Sequence, residues 1–158
     1  MASGRPALSV KGRALRLLSQ REHSRPELER KLASPDTDAD ELARALDELQ
    51  AKGFISEARV VESVVHRRAA KLGTARVQQE LQAKGLSPEA MGEALERLRG
   101  TELERAREVW RKKFGEAAVD AHERAKHARF LLSRGFASEV VRRVLSAQGV
   151  EPNDEVGE

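Results

Sequence analysis

Glu80-Leu81-Gln82-Ala83-Lys84-Gly85-Leu86 and Phe130-Leu131-Leu132-Ser133-Arg134-Gly135-Phe136 are one pattern written twice, 50 positions apart. Each is a helical run closed by a basic residue and a glycine, then restarted by an apolar residue. Glycine takes the left-handed cap at no steric cost, and the residue after it folds back onto the core. Past each corner the register continues, with Met91, Ala94 and Leu95 falling on Val141, Val144 and Leu145. An earlier copy lies 49 positions upstream, where Leu28, Leu32, Leu42 and Leu46 fall on Val77, Leu81, Met91 and Leu95. A period near 50 holding three helices reads as tandem three-helix modules rather than one closed bundle. Copy one departs at its corner, where Ser34-Pro35-Asp36-Thr37 replaces the basic-Gly-apolar turn and a looser corner is expected.

Apolar residues recur at helical spacing throughout, and no stretch alternates as a half-buried strand would. Ser24-Arg25-Pro26-Glu27, Asp38-Ala39-Asp40-Glu41 and Thr101-Glu102-Leu103-Glu104 each carry a helix-start signature, and Ser87-Pro88 sets proline at a first helical position. Gly53, Gly85, Gly100, Gly135 and Gly149 stand where helices are expected to stop. These signals predict nine helices near 9–22, 25–34, 39–52, 57–71, 74–84, 88–99, 102–114, 119–134 and 138–148. The expected organisation is a mobile end at 1–8, units at 9–56, 57–100 and 101–149, and a mobile acidic end at 150–158. The fold class is all-α.

With 158 residues, 39% apolar, four Phe and one Trp, the chain suits small units packed by Leu, Val and Ala. Charged residues reach 35%, as long solvated helix faces require. No apolar run is long enough to span a membrane, and the opening MASGRPALSV lacks a signal core. Absence of cysteine excludes disulfides and thiol chemistry, and a cytoplasmic location is the default expectation. The net charge of +3 conceals a gradient. Residues 151–158 hold Glu151, Asp154, Glu155 and Glu158 with no basic residue, and residues 34–50 are also acidic. Residues 59–84 lean basic, through Arg59, Arg67, Arg68, Lys71, Arg76 and Lys84. Such local fields favour an acidic or polyanionic partner, although solvated helix faces would read the same way.

Catalytic motifs are not found. His122-Glu123-Arg124-Ala125-Lys126-His127 resembles a zinc-protease string, but its histidines are five apart and diverge on a helix. His23 and His66 sit alone in charged segments and read as solvated. There is no phosphate-binding glycine loop and no nucleophile motif, so neither enzyme nor cofactor is expected. On residues 57–71 the predicted buried stripe is Ala58, Val61, Val65 and Leu72, with Arg59, Arg67 and Lys71 opposite. Arg105, Arg107, Arg111, Lys112 and Lys113 flank a second stripe of Leu103, Ala106, Trp110 and Phe114. Facing nucleic acid, these cations would meet phosphates, giving affinity without base specificity.

Three stretches resemble the RecX family of bacterial recombinase regulators. They are Ala14 to Leu32, with its Arg21-Glu22-His23-Ser24 corner; Arg68 to Val77, running on to Gly85; and Lys112-Lys113-Phe114-Gly115 followed by Lys126 to Phe136. The resemblance spans residues 9–148. It departs after Gly53-Phe54, where Val60 occupies the family's aromatic place. It implies an elongated, curved array of three tandem three-helix repeats that binds the RecA recombinase in the groove of its filament on single-stranded DNA. It further implies limits on filament growth, ATP hydrolysis and strand exchange, and so a role in recombination and DNA repair. Arg68, Lys71, Arg76, Lys112, Lys113 and Arg134 match family positions and, with Arg59 and Arg67 from the basic helix, are the expected partner-binding residues. A monomer without membrane contact is expected, and direct DNA contact stays open. The alternative is a sequence-nonspecific nucleic-acid-binding module of three-helix units.

Overall fold

The computed structural model describes residues 8–148, which form eight helices and no strand. All but Leu8 of the mobile end expected at 1–8, the mobile end expected at 150–158 and the helix stop expected at Gly149 lie outside the described residues. The elements are α1 (Val10–Gln20), α2 (Arg25–Leu32), α3 (Ala39–Ala51), α4 (Glu57–Arg68), α5 (Thr74–Ala83), α6 (Pro88–Lys113), α7 (Ala121–Ser133) and α8 (Ser138–Gln148). They pack as three triplets, α1-α2-α3, α4-α5-α6 and α6-α7-α8, with α6 shared by the second and third. Each triplet closes its own apolar core. Leu28, Leu46 and Leu49 centre the first, Val64, Val77 and Leu81 the second, and Trp110, Leu131 and Val144 the third. The array of three-helix units read from the period near 50 is therefore what the chain builds. No helix among the described residues is long and apolar enough to cross a membrane.

Most helix starts follow the expected signals. Ser24 forms a full capping box with Glu27, Ser87 accepts from Ala90 N with Pro88 at the first position, and Asp38 caps α3. Gly53, Gly85 and Gly135 close their helices at φ +86°, +75° and +94°. Behind Gly85 and Gly135, Leu86 and Phe136 turn into the core as expected. Behind Gly53 the order slips by one residue: Phe54 stays half exposed and Ile55 is buried instead.

Two expectations are corrected. The break at Gly100-Thr101 does not exist, so nine helices become eight and the 100/101 boundary falls inside α6. The apolar stripe of Met91, Leu95 and Leu98 continues in phase through Glu102 to Ala106 and Trp110, and burying it outweighs the local start signal. Thr101, read as a cap, turns its hydroxyl back to the carbonyls of Arg97 and Leu98. The stripe on α4 is also rotated from its expected face. Val60, Val61 and Val64 are buried, Val65 and Leu72 only partly, and Ala58 faces solvent.

Candidate functional site

Units one and two, and units two and three, meet through the same joint made twice. In each, the glycine corner of the later unit seats on the first turn of the preceding unit's second helix. At the first joint the Ser24 hydroxyl donates to the Lys84 carbonyl, and Gly85 packs on Pro26, whose Cγ would lie 2.7 Å from any added Cβ. At the second, Gly73 N–H donates to the Arg134 carbonyl at 2.8 Å, and Gly135 packs on Arg76. Ser24 corresponds to Gly73, and Lys84 to Arg134, at the repeat's own offsets of 49 and 50. An arginine clamps each corner from below: Arg30 donates to the Ala83 carbonyl at 3.3 Å, and Arg76 to the Ser133 carbonyl at 2.7 Å. A Cβ on Gly73 would stand 2.2 Å from the Gly135 carbonyl oxygen, so glycine is required there for close approach rather than for its φ of −75°.

A buried carboxylate stabilises each joint. Glu27 accepts from Ser24 N–H at 2.9 Å and pairs with Arg21 at 2.8 Å and Lys84 at 3.3 Å. Burial pushes its carboxyl up. The hydrogen bonds from Arg21 and Ser24 and the Lys84 charge outweigh that and hold it at about 2. Glu102, in the buried stripe of α6, accepts from Thr74 N–H at 3.2 Å and Ala137 N–H at 2.8 Å, tying α5 to the start of α8. Arg105, expected on the surface, is instead drawn inward. It donates to the Ala69, Leu72 and Leu98 carbonyls at 2.9, 2.6 and 2.8 Å and to the Thr74 hydroxyl at 3.1 Å.

His23 and His127 are buried, correcting the solvated reading of His23. The Arg21 carbonyl can only accept, so His23 Nδ1 carries the proton at 3.0 Å, leaving Nε2 to accept from the Lys31 ammonium at 3.3 Å. His127 Nδ1 accepts from the Trp110 indole at 3.1 Å while its ring stacks on Phe114 at 3.7 Å. Burial lowers both imidazoles below their ordinary range, in keeping with these neutral tautomers.

Around the second joint the structure gathers several expected partner-binding residues. Phe130, half buried on α7, has the Lys113 ammonium 5.2 Å from its ring centroid and the Arg134 guanidinium at 4.8 Å. Arg76 reaches the same corner through Ser133, and exposed Lys71 stands two residues before Gly73. Lys112 is exposed on the last turn of α6. Arg67 and Arg68 share Glu80 of α5 at 3.7 and 3.1 Å. Arg59 lies apart from this group, at the first joint, donating to Glu22 at 3.0 Å and the Gly53 carbonyl at 2.6 Å. Arg59, Arg68 and Arg76 thus hold structural bonds whatever else they touch. The result is a ridge of cations at one joint, with Lys113 and Arg134 set over the Phe130 ring, which Phe114 backs edge-on at 5.5 Å.

Three family models match in order: RecX first three-helix domain over residues 11–49, second over 56–95 and third over 101–145. The chain belongs to the RecX family. A regulatory protein RecX of Leptothrix cholodnii is 60% identical over 145 residues, covering 92% of both chains. One from Ralstonia nicotianae is 48% identical over 145 residues, covering 92% of this chain and 91% of the relative. The RecX crystal structure from Lactobacillus salivarius matches the fold with a TM-score of 0.73 at 20% identity, over 90% of this chain and 96% of that one. Two of the RecX-like stretches read from sequence, Arg68 to Val77 and Lys126 to Phe136, meet at one joint through Gly73, Arg76 and the Ser133-Arg134-Gly135 corner. The buried roles of Glu27, Glu102 and Arg105 are not legible in sequence, because a buried charge looks like any other until its partners, some 30 or more residues distant, are located.

Proposed function

We propose that this chain is a noncatalytic regulator of the RecA recombinase. It binds as a monomer in the groove of the RecA–single-stranded-DNA filament, in the cytoplasm, and acts as an inhibitor of filament growth, ATP hydrolysis and strand exchange. The observation that carries this reading is the RecX match across all three units, combined with joints that hold those units at set spacing. Weak contacts linked at fixed spacing gain avidity only against a target that repeats at matching intervals, as a filament does. Cations at the second joint, Lys71, Arg76, Lys112, Lys113 and Arg134, suit a surface steered toward a polyanionic assembly. Arg59, Arg67 and Arg68 extend that surface toward the first joint.

The test is RecA ATP hydrolysis on single-stranded DNA, titrated with this protein and with a Lys71→Glu, Lys112→Glu double variant. Both lysines are exposed, so the variant should fold normally, surface changes being usually within about 0.5 kcal/mol. Inhibition by the parent, weakened in the variant, supports the reading. No effect of the parent on hydrolysis or filament length overturns it. Equal affinity for naked single-stranded DNA would favour the nucleic-acid-binding alternative.

A further inference from the structure

Among the described residues, unit three carries an open groove between α7 and α8, about 390 Å³ in volume. Ala121, Ala125, Ala128 and Leu132 run along its α7 side at helical spacing, facing Val141 and Leu145 of α8. Leu132 is 45% exposed. The other units have no such floor. Positions 128 and 132 correspond to Gln78 and Gln82 in unit two, and to Glu29 and Ala33 in unit one.

Two arginines, Arg124 and Arg142, also line the groove. Arg124 corresponds to Arg25, and in unit one that arginine bridges α2 and α3. It meets Asp47 at 2.6 Å, Gln50 at 3.0 Å and the Ala43 carbonyl at 3.3 Å. Unit three has Ser146 in place of Asp47, and a hydroxyl cannot hold a guanidinium as a carboxylate does. Among the described residues Arg124 forms no ion pair, and Arg142 pairs only with exposed Glu139 at 3.1 Å. Unit one thus shows what this arginine takes, a carboxylate carried on a helix. The helices of unit three do not supply one.

We propose that the α7–α8 groove is a docking site for an acidic amphipathic helix of a partner protein. The apolar face of that helix lies along Ala125, Ala128 and Leu132. One of its carboxylates takes the place of Asp47 opposite Arg124, and a second meets Arg142. A helix suits the groove because the stripe from Ala121 to Leu132 runs about 17 Å, roughly three turns, and alanines let a second backbone approach closely. An extended segment would need a sheet edge to pair its backbone, and the described residues form no strand. A phosphate backbone would gain nothing from the apolar floor and is better met by the cations of the second joint. The groove shares no residue with the cations assigned to the RecA filament, so this inference stands or falls apart from that reading.

The test titrates the full chain, isotope-labelled, with a synthetic helical peptide bearing leucines on one face and glutamates on the rest, followed by backbone amide shifts. Shifts should concentrate on residues 121–132 and 138–145 and leave α5 unmoved. Leu132→Gln installs the residue that unit two carries at this position, and it should weaken binding roughly tenfold. Arg124→Glu should weaken it by roughly tenfold or more. Both side chains are exposed, so the amides of units one and two should keep their parent positions in either variant. A peptide with lysine for every glutamate should not bind. Shifts centred away from the groove, equal binding of the lysine peptide, or undiminished binding by both variants overturns the proposal. Oligothymidylate competing for the same amides would assign the groove to nucleic acid and overturn it. Groove amides that move with protein concentration in the absence of peptide overturn it in favour of a second copy.

Discussion

Gly135 answers two demands with one missing side chain. Its φ of +94° is a conformation L residues adopt only at a cost of roughly 1–2 kcal/mol. An added Cβ would also stand 2.1 Å from Arg76 Cγ and 2.9 Å from Arg76 N. Gly135→Val should therefore lose amide-exchange protection on both sides of the joint, at residues 73–77 as well as 133–137. Loss confined to 133–137 would mean that the glycine closes only its own helix. His127 makes a second case. It occupies the register position held by Leu28 and Val77 in the other units. Burial lowers its imidazole, so the fold prefers the neutral form and the unfolded chain binds more protons below about pH 6.5. Stability should be full above that pH and decline below it, with His23 contributing in the same direction. His127→Leu should narrow the difference between urea midpoints measured at pH 7.5 and 5.5. It should also lower the unfolding free energy at both pH values by about 1–3 kcal/mol, because the buried Trp110 indole loses its acceptor. A gap as wide as the parent's would place the pH dependence elsewhere.

At the scale of elements α6 decides most. Its 26 residues run about 39 Å and supply a wall to two cores. Gly100 sits exposed in the middle of it with nothing within 4 Å of an added Cβ. Gly100→Ala should raise stability by about 0.5–1 kcal/mol, measured by denaturant unfolding. A corner glycine would respond in the opposite direction, so a lower midpoint would restore the broken-helix reading. The contrast shows what was legible in sequence. The corners at Gly85 and Gly135 could be read because a repeat wrote them twice. The unbroken α6 could not, because Gly100 and a Thr-x-x-Glu pattern imitate a helix boundary while the stripe beneath is interrupted by one acid. Of the cation ridge, the residues were legible but their grouping was not. Lys113 and Arg134 meet over Phe130 only through the packing of α7 on α6. Arg105 and Glu102 were misread for the same reason, since burial of a charge depends on partners brought from other helices.

For the molecule as a whole, three units in fixed relation predict how dose affects outcome. If each regulator engages more than one filament subunit, inhibition of RecA ATP hydrolysis should saturate below one regulator per recombinase. A titration that breaks sharply at one to one would point to masking of single subunits.

The joint also has a grammar at the two ends of the array. Unit one presents Ser34-Pro35-Asp36 where units two and three present a glycine corner, so it has nothing to seat on a preceding neighbour. Unit three begins its second helix three residues early, at the Asp120 cap. The N–H equivalent to that of Gly73, on Glu123, is already committed to Asp120 at 2.8 Å. Neither end repeats the residues of this contact. Under the proposed function, raising the concentration would multiply clamps without lengthening any of them through this joint. The span each one would bridge on that proposal is inherited with the gene, while expression level would set only how many spans are occupied.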